Sequence, residues 1–181
     1  MRKLIRHFVS IVARTLPIYE PIYEFGSYRA KEKNWVHNNM RLLFRGKEFV
    51  GCDMRQGYGV DMVLNLHDID LPDETAGTVL CLETLEHVEF CHKAVSEMHR
   101  ILKPGGICIL STVFNFPIHN YPSDYWRFTP SGLESLMKPF AQTHVGYLGD
   151  SIRPHSVLGI GIKGSIDLEP FLSVWKEQYD T

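Results

Sequence analysis

The sequence predicts an α/β fold in which a doubly wound, mostly parallel sheet carries helices on both faces. The first observation is a set of short apolar segments that show no alternation of polar and apolar side chains, as expected of strands covered on both faces. The second is that two of them, residues 78–82 and 107–110, flank a stretch with apolar residues at helical spacing: Ala94, Val95, Met98, Ile101 and Leu102. Two strands joined by such a helix pair in parallel through a right-handed crossover.

The composition is that of one globular domain. The chain has 181 residues, of which 44% are hydrophobic and 22% charged, enough for one sizeable core and short for two. We expect a single domain made of an N-terminal amphipathic helix (1–17), an α/β core (18–164) and a C-terminal helix (165–181). The net charge of −2 gives no field that would attract nucleic acid, which is therefore not expected as a partner.

Cysteine usage and the N-terminal segment bear on the compartment. The four cysteines form no CxxC pair, so they are expected to be reduced, buried thiols of a cytoplasmic protein. No segment reaches the roughly 18 consecutive apolar residues of a membrane-spanning helix. Residues 1–17 begin basic and continue apolar, but Arg6, His7 and Arg14 interrupt the apolar run, which argues against a signal peptide. The segment is predicted to pack as an amphipathic helix over the domain; a basic helix on a membrane surface is the alternative.

The first strand of the core is predicted within residues 21–27 and ends in an acidic residue followed by glycine. Nucleotide-binding α/β folds turn from their first strand into their first helix at such a place. Gly26 has no Cβ, so a ligand can approach the backbone closely there. Glu24, Gly26 and Ser27 are therefore candidate cofactor contacts.

The second strand, residues 48–53, ends in a carboxylate. A loop and a helix that includes Trp35 are predicted before it, over residues 29–45. A carboxylate at this strand end can accept two hydrogen bonds from ribose hydroxyls. Asp53 and the adjacent Met54 are accordingly candidate cofactor contacts, with a solvent-exposed loop aspartate as the alternative for Asp53. Residues 60–64 are predicted to form the third strand.

The central strand–helix–strand unit carries a family resemblance. Residues 81–88 read CLETLEHV and residues 100–106 read RILKPGG, where residues 103–106 are predicted to end the helix because Lys suits the helix dipole and Pro and Gly stop propagation. These two motifs, in this order, resemble the middle of class I S-adenosylmethionine (SAM)-dependent methyltransferases of the type 11 kind. They are most similar to a small subgroup whose fourth strand runs into a Leu-Glu-His-Val loop.

The resemblance implies a Rossmann-like, seven-stranded sheet with an antiparallel last strand. It implies SAM as the methyl donor and S-adenosylhomocysteine as the product. It also places Leu82, Glu83 and His87 at the cofactor loop, with a capped structural residue as the alternative for His87. The family pattern acidic-x-Gly-x-Gly is met at the first strand by an acidic residue and one glycine, but Tyr28 stands at the second glycine position.

Residues 65–72 are similar to the methyltransferase segment that forms the adenine pocket. The resemblance implies that Asp68 accepts a hydrogen bond from the adenine amino group and that Ile69 donates its backbone N–H to the ring. Asp70 is the alternative to Asp68.

The most distinctive segment, HNYPSDYWRFT at residues 119–129, follows the fifth strand. It resembles a subset of class I methyltransferases, some of them loosely associated with sugar or glycan modification. A hydroxyl acceptor benefits from a base within hydrogen-bond reach, for which His119 is the candidate. Asp124 is predicted to orient that histidine or bind the acceptor, and Arg127 to hold a carboxylate or phosphate. Tyr125 and Trp126 are further candidate substrate contacts; in the alternative, the aromatic residues only pack the loop and Asp124 pairs with Arg127.

The last elements are a helix and two strands followed by a terminal helix. Thr129 and Pro130 form a good N-cap and first turn for the helix. Residues 142–148 and 156–162 are predicted strands, and residues 167–179 the terminal helix.

Three functions compete. The leading one is a SAM-dependent methyltransferase that acts, at oxygen, on a small-molecule or glycan-type acceptor. The second is a non-catalytic methyltransferase-like domain with a binding or assembly role, motivated by Tyr28. A nicotinamide-dependent oxidoreductase ranks last because the chain has no GxGxxG turn. No metal is expected, since the histidines show no HExxH or comparable spacing.

Overall fold

The computed structural model describes residues 3–29, 39–119 and 122–179. The strands are β1 Ile22–Phe25, β2 Phe49–Asp53, β3 Met62–Val63, β4 Ala76–Leu82, β5 Leu102–Val113, β6 Gln142–Gly149 and β7 Pro154–Ile162. The helices of these residues are α1 Lys3–Thr15, α2 Cys91–Ile101, α3 Pro130–Leu136 and α4 Glu169–Tyr179, and short 3₁₀ turns cover Met40–Leu43 and Leu85–His87.

All seven strands form one sheet in the order β3-β2-β1-β4-β5-β7-β6. β7 runs antiparallel to its two neighbours, β5 and β6. The four other strand pairs are parallel. The predicted fold class is therefore confirmed. The strand order reverses between β1 and β4, and ligands of open α/β sheets bind beyond the carboxyl ends of the strands at such a reversal. Phe25 pairs with both Cys52 and Cys81, so the segments after β1, β2 and β4 begin side by side.

Side chains that alternate along β4 and β5 build a core on each face of the sheet. The core shared with α2 and α3 contains Val79, Cys81, Cys108 and Leu110. The core shared with α1 and α4 contains Leu80, Leu82, Ile107 and Ile109. Burial on both faces explains why these strands read as continuous apolar runs.

Helix α1 packs on the sheet. Its apolar side is buried in the same core as α4, and the Phe8 ring meets the rings of Phe171 and Trp175 edge-on at centroid distances of 6.2 and 5.8 Å. The helix thus packs over the domain, which is the first of the two interpretations offered for residues 1–17; the other was a helix on a membrane surface. Among the described residues, no helix combines the length and apolarity needed to cross a bilayer.

The helix ends before residues 103–106, as predicted, but β5 begins earlier than the predicted residue 107. α2 ends at Ile101 and β5 begins at once with Leu102, so these residues lie inside the strand. The Gly105 N–H donates to the Lys163 carbonyl at 2.6 Å, and the Lys163 N–H donates to the Gly106 carbonyl at 3.0 Å. Lys163, just beyond β7, thus supplies hydrogen-bond partners to both glycines, although Gly105 has a φ of +79° and the pairing of β4 with β5 shifts register between Ala76 and Thr78.

Two smaller differences concern the segments before and after β2. Of the helix predicted within residues 29–45, the described part shows only the 3₁₀ turn Met40–Leu43, and Trp35 lies outside the described residues. β3 is shorter than predicted because the Val60 N–H is used in a turn, where it donates to the Gly57 carbonyl at 3.2 Å. The predicted N-cap is confirmed: Thr129 Oγ1 accepts from the Gly132 N–H at 3.0 Å.

Replacing Phe8 with alanine should destabilise the protein by about 3–5 kcal/mol, because it opens a cavity between α1, α4 and the sheet. Chemical unfolding followed by circular dichroism measures the change. Leu4→Ala is the matched control, since Leu4 lies on the same helix with 49% of its surface exposed. Equal stability of the two variants would show that α1 does not contribute to the core.

Candidate active site

Glu24, near the end of β1, is a buried carboxylate with a partner from its own chain. It is 3% exposed and accepts from Arg29 Nη2 at 3.1 Å through Oε2 and 3.4 Å through Oε1. Burial raises the pKa of Glu24 to about 7, an effect that the Arg29 charge opposes. The Glu24 carboxylate, predicted to contact the cofactor, is thus already paired with Arg29.

Position 26 must be glycine because the loop that follows β4 packs against its Cα. The φ of Gly26 is +82°, and a Cβ at this position would lie 2.1 Å from Thr84 Oγ1. The Ser27 N–H donates to the Cys52 carbonyl at 3.0 Å. The Ser27 hydroxyl is buried and has no hydrogen-bond partner among the described residues. An orphaned hydroxyl at this edge of the sheet is available to a ligand.

Tyr28, at the second glycine position, is packed into the loop that follows β2. Its N–H donates to Asp53 Oδ2 at 3.2 Å, and the Arg55 guanidinium lies over its ring at 4.5 Å from the centroid. A Cβ on Gly57 would come within 2.3 Å of the same ring. The tyrosine fits here because residue 57 is glycine.

Asp53 lies at the carboxyl edge of the sheet, as predicted, with its side chain 10% exposed. Besides the Tyr28 N–H, it accepts from the Arg55 N–H at 3.0 Å, and Arg55 Nε lies 3.6 Å from the same oxygen. A carboxylate has about four acceptor positions. The two backbone donors therefore leave capacity for further hydrogen bonds. Met54 beside it is 58% exposed.

Ile69 is buried beside α2, and both of its backbone groups are engaged there. The Ile69 N–H donates to Glu97 Oε2 at 2.9 Å, and its carbonyl accepts from Arg100 Nη2 at 2.8 Å. Glu97 and Arg100 belong to the last turns of a helix that runs away from the carboxyl edge. In this structure the Ile69 N–H is therefore not available to an adenine ring.

Asn65 is a candidate that the sequence interpretation missed. It follows β3 by two residues and is exposed at the carboxyl end of that strand, with Oδ1 accepting from the His67 N–H at 2.9 Å. Asp68 is also exposed, one turn further on, and its N–H donates to the Asn65 carbonyl at 3.0 Å. The signal that singled out Asp53, the first polar side chain after a strand, would have selected Asn65.

The loop after β4 begins with a strained residue. Leu82 is buried, and Glu83 has a φ of +48°, which is uncommon for a residue with a side chain. The Glu83 N–H donates to the Ser111 carbonyl at 2.8 Å, and its Oε1 accepts from the Ser156 hydroxyl at 3.3 Å. Contacts to β5 and β7 thus hold this conformation.

Glu86 and His87 form the centre of that loop. Glu86 is fully buried, and its Oε2 accepts from Thr112 Oγ1 at 3.1 Å. Burial raises the pKa of Glu86 to about 7. His87 Nδ1 lies 2.5 Å from the Ser123 carbonyl oxygen, and burial lowers the pKa of His87, which favours its neutral form.

The segment after β5 brings His119 against this loop. The rings of His87 and His119 are edge-to-face with centroids 4.7 Å apart. The His119 N–H donates to Asp124 Oδ2 at 2.7 Å, and His119 Nδ1 lies 3.2 Å from the Pro117 carbonyl and 3.3 Å from Asp124 Oδ2. The predicted association of His119 with Asp124 is thus present.

Arg127 binds Asp124 and the backbone instead of facing solvent. Its two Nη atoms meet the two carboxylate oxygens of Asp124 at 2.5 and 2.8 Å, and these hydrogen bonds hold the pKa of Asp124 well below its usual range. The other donors go to the carbonyls of Phe116, Pro117 and Trp126. All five guanidinium N–H groups are used. The assignment of Arg127 to a substrate anion is therefore corrected in favour of the Asp124–Arg127 pair.

Tyr125 and Trp126 are attached to the loop after β4 by their backbone. Both N–H groups donate to the Glu86 carbonyl, at 2.8 and 3.2 Å. Trp126 Nε1 donates to the Val88 carbonyl at 2.9 Å. Tyr125 and Trp126 remain 46% and 45% exposed, so they present aromatic surface on this loop.

The sequence and the fold were compared with those of known proteins. Residues 38–110 match the family described as "Methyltransferase domain". The match covers less than half of the chain; it contains Asp53 and the Leu85–His87 turn but starts after Tyr28 and ends before His119. Residues 38–110 are therefore similar to a methyltransferase domain. The fold is shared with solved SAM-dependent methyltransferases.

Solved methyltransferases share the fold at low sequence identity. A SAM-dependent methyltransferase of Thermotoga maritima, described as a possible histamine N-methyltransferase, has a TM-score of 0.61 at 18% identity, over 88% of this chain and 92% of that one. A SAM-dependent methyltransferase of Archaeoglobus fulgidus gives 0.63 at 13% identity, over 87% and 94%. The CurJ carbon methyltransferase gives 0.66 at 11% identity, over 91% of this chain and 54% of that one. No curated protein matches the sequence. Because these proteins are described as methylating different atoms, nitrogen in one case and carbon in another, the shared fold leaves the acceptor open.

Replacing Glu24 with glutamine should remove part of the pH dependence of stability. The folded-state pKa of about 7 exceeds the ordinary value of 4.5, so the folded protein retains a proton that the unfolded chain releases. The stabilisation from this proton is complete below pH 4.5 and is lost as the pH rises through 7. Relative to wild type, the variant should gain about 1–3 kcal/mol between pH 4.5 and pH 8.

Urea unfolding of both proteins at pH 4.5, 6 and 8 measures this difference. Glu134→Gln is the control, because Glu134 is exposed on α3 and its replacement makes the same change in formal charge. A constant difference between wild type and Glu24→Gln across this range would mean that Arg29 keeps Glu24 ionised throughout.

Proposed function

We propose that this protein is a SAM-dependent methyltransferase that transfers a methyl group from SAM to a hydroxyl of a small-molecule or glycan-type acceptor. The observation that carries the acceptor assignment is the position of the His119 ring against His87, where the loops after β4 and β5 meet. These loops lie at the carboxyl edge of the sheet, next to the reversal of strand order.

The residues at the carboxyl ends of β1 and β2 suit the methyl donor. Asp53 retains acceptor capacity for ribose hydroxyls, and the buried Ser27 hydroxyl lacks a partner among the described residues. Asn65 and Asp68 offer polar groups after β3 for the base. When bound, SAM supplies an electron-poor methyl group attached to a sulfonium.

His119 is the residue that assists the acceptor hydroxyl. Its Nδ1 faces the Pro117 carbonyl and the Asp124 carboxylate, so Nδ1 carries the proton and Nε2 the lone pair. His119 takes the hydroxyl proton while the acceptor oxygen forms its bond to the methyl carbon and the carbon–sulfur bond breaks. Asp124, ionised and clamped by Arg127, positions the ring. The exposed Tyr125 and Trp126 rings offer apolar surface to a sugar or similar acceptor.

A non-catalytic role is the second candidate, and two contacts favour it. Arg29 already satisfies Glu24, and the stacked pair of Tyr28 and Arg55 lies against Asp53. A domain that no longer binds the donor would tolerate such intramolecular pairing. Titration calorimetry with S-adenosylhomocysteine, with NAD as the control nucleotide, separates the candidates. Micromolar binding of S-adenosylhomocysteine alone supports the enzyme, whereas binding of neither ligand supports the non-catalytic role.

Asp53→Asn should weaken S-adenosylhomocysteine binding by about 10- to 100-fold, because hydrogen bonds to a carboxylate are replaced by weaker ones to an amide. The same calorimetric titration measures the change. Asp167→Asn is the matched control: Asp167 precedes α4 and accepts from the Glu169 N–H, a cap that asparagine can also provide. Unchanged affinity in Asp53→Asn would remove Asp53 from the donor site.

His119→Ala should lower turnover by about 10²- to 10⁴-fold, the usual contribution of a positioned base, with little change in S-adenosylhomocysteine affinity. The assay follows S-adenosylhomocysteine release with an acceptor found by screening sugars and other hydroxyl compounds. His92→Ala, an exposed histidine of α2, is the control. Full turnover in His119→Ala would make this histidine structural.

A further inference from the structure

We propose that Glu86, His87 and His119 bind a divalent transition-metal cation. One ligand atom from each of the three side chains, a carboxylate oxygen and two imidazole nitrogens, lies within 4.8 Å of the others. Glu86 and His87 are adjacent on the Leu85–His87 turn, and His119 comes from the loop after β5. Spacing along the sequence does not reveal this group because its third member lies 32 residues away from His87.

The buried carboxylate of Glu86 provides an independent indication of a ligand. Its Oε2 has the Thr112 hydroxyl as a donor, whereas its Oε1 is buried and has no hydrogen-bond partner among the described residues. A buried oxygen without a partner is unfavourable, and such groups in folded proteins call for an explanation. A cation bound to Oε1 would provide the missing partner.

Both histidines are prepared to act as ligands. Nδ1 of His87 lies 2.5 Å from the Ser123 carbonyl, and Nδ1 of His119 lies 3.2 Å from the Pro117 carbonyl. A hydrogen bond from Nδ1 to a carbonyl leaves the lone pair on Nε2 and fixes the orientation of the ring. Metal-binding histidines in proteins commonly have such a second partner. The Asp124 carboxylate lies 3.3 Å from Nδ1 of His119 and is a second partner for that nitrogen, on the side of the ring away from Nε2.

The spacing suits a cation after a small adjustment. Bonds of about 2.0–2.2 Å to nitrogen and oxygen place the ligand atoms roughly 3–4 Å apart. Closing from at most 4.8 Å requires a shift of about 1 Å, which the His119 ring can supply because its side chain is 28% exposed. Two imidazoles and one carboxylate favour Zn²⁺, Fe²⁺, Co²⁺ or Mn²⁺ over the oxygen-preferring Mg²⁺ and Ca²⁺.

The cation would activate the acceptor hydroxyl, and this part of the inference rests on the proposed function. With the cation bound, the lone pair of His119 is committed to the metal, so the cation replaces His119 as the group that activates the acceptor hydroxyl, and His119 acts as the base only in the metal-free protein. An acceptor hydroxyl in an open coordination position would lose its proton to solvent water more readily, since a bound cation lowers the pKa of a coordinated oxygen. The resulting oxygen forms the bond to the methyl carbon while the carbon–sulfur bond breaks.

The test is a titration of the metal-free, EDTA-treated protein with Co²⁺, followed by visible absorption and by calorimetry. We expect one tight site per chain, with d–d bands of a low-symmetry nitrogen and oxygen environment. Glu86→Gln and His119→Ala should each lower the affinity at least 10-fold, whereas His92→Ala should not change it. Glutamine keeps the acceptor for Thr112, and His119→Ala decides the outcome if Glu86→Gln does not fold.

Absence of a tight site in the wild-type protein would overturn the proposal. Co²⁺ binding that both Glu86→Gln and His119→Ala leave unchanged would also overturn it, because the ion would then be bound by other side chains. The titration contains neither SAM nor an acceptor. Its failure is therefore distinguishable from failure of the proposed function, which the binding of S-adenosylhomocysteine tests separately.

Discussion

The pairing of β1 between β2 and β4 is the constraint on which the site depends. The register that aligns Phe25 with Cys52 and Cys81 makes three strands end together. The loops that follow must then share one narrow edge, and Gly26 is the point where two of them touch, with the Thr84 side chain in the space that a Cβ would fill. A shift of one residue in either pairing would move Asp53 or the Leu85–His87 turn to a different height and separate the groups that the site combines.

Main-chain contacts extend this order to the segment after β5. The Glu86 carbonyl accepts from two successive N–H groups, those of Tyr125 and Trp126. The Asp124–Arg127 pair closes the same segment on itself and takes up three of its carbonyls. His119 is thus positioned from two directions, by the loop after β4 and by the carboxylate of Asp124. An irregular segment held in this way can position a side chain without a helix or a strand.

The sequence was most informative where a pattern has a local physical cause. Buried strands, the amphipathic side of α2 and the Thr129 cap follow from periodicity and capping, which act over a few residues. The early start of β5 at Leu102 was not predicted because the partners of Gly105 and Gly106 come from Lys163, far along the chain. Ile69 was misplaced for a similar reason: Glu97 and Arg100 of α2 hold its backbone. The two interpretations offered for Arg127 could not be separated until its donors could be counted.

Tyr28 and Gly57 form a complementary pair. The family pattern has glycine at position 28, where this chain has tyrosine. The Tyr28 ring fits because residue 57 is glycine and leaves space for it in the neighbouring loop. The loop at β1 and the loop at β2 can therefore only vary together. A chain with glycine at position 28 has room for a side chain at position 57, whereas alanine at position 57 in this chain would press on the Tyr28 ring and, through the Tyr28 N–H, on Asp53.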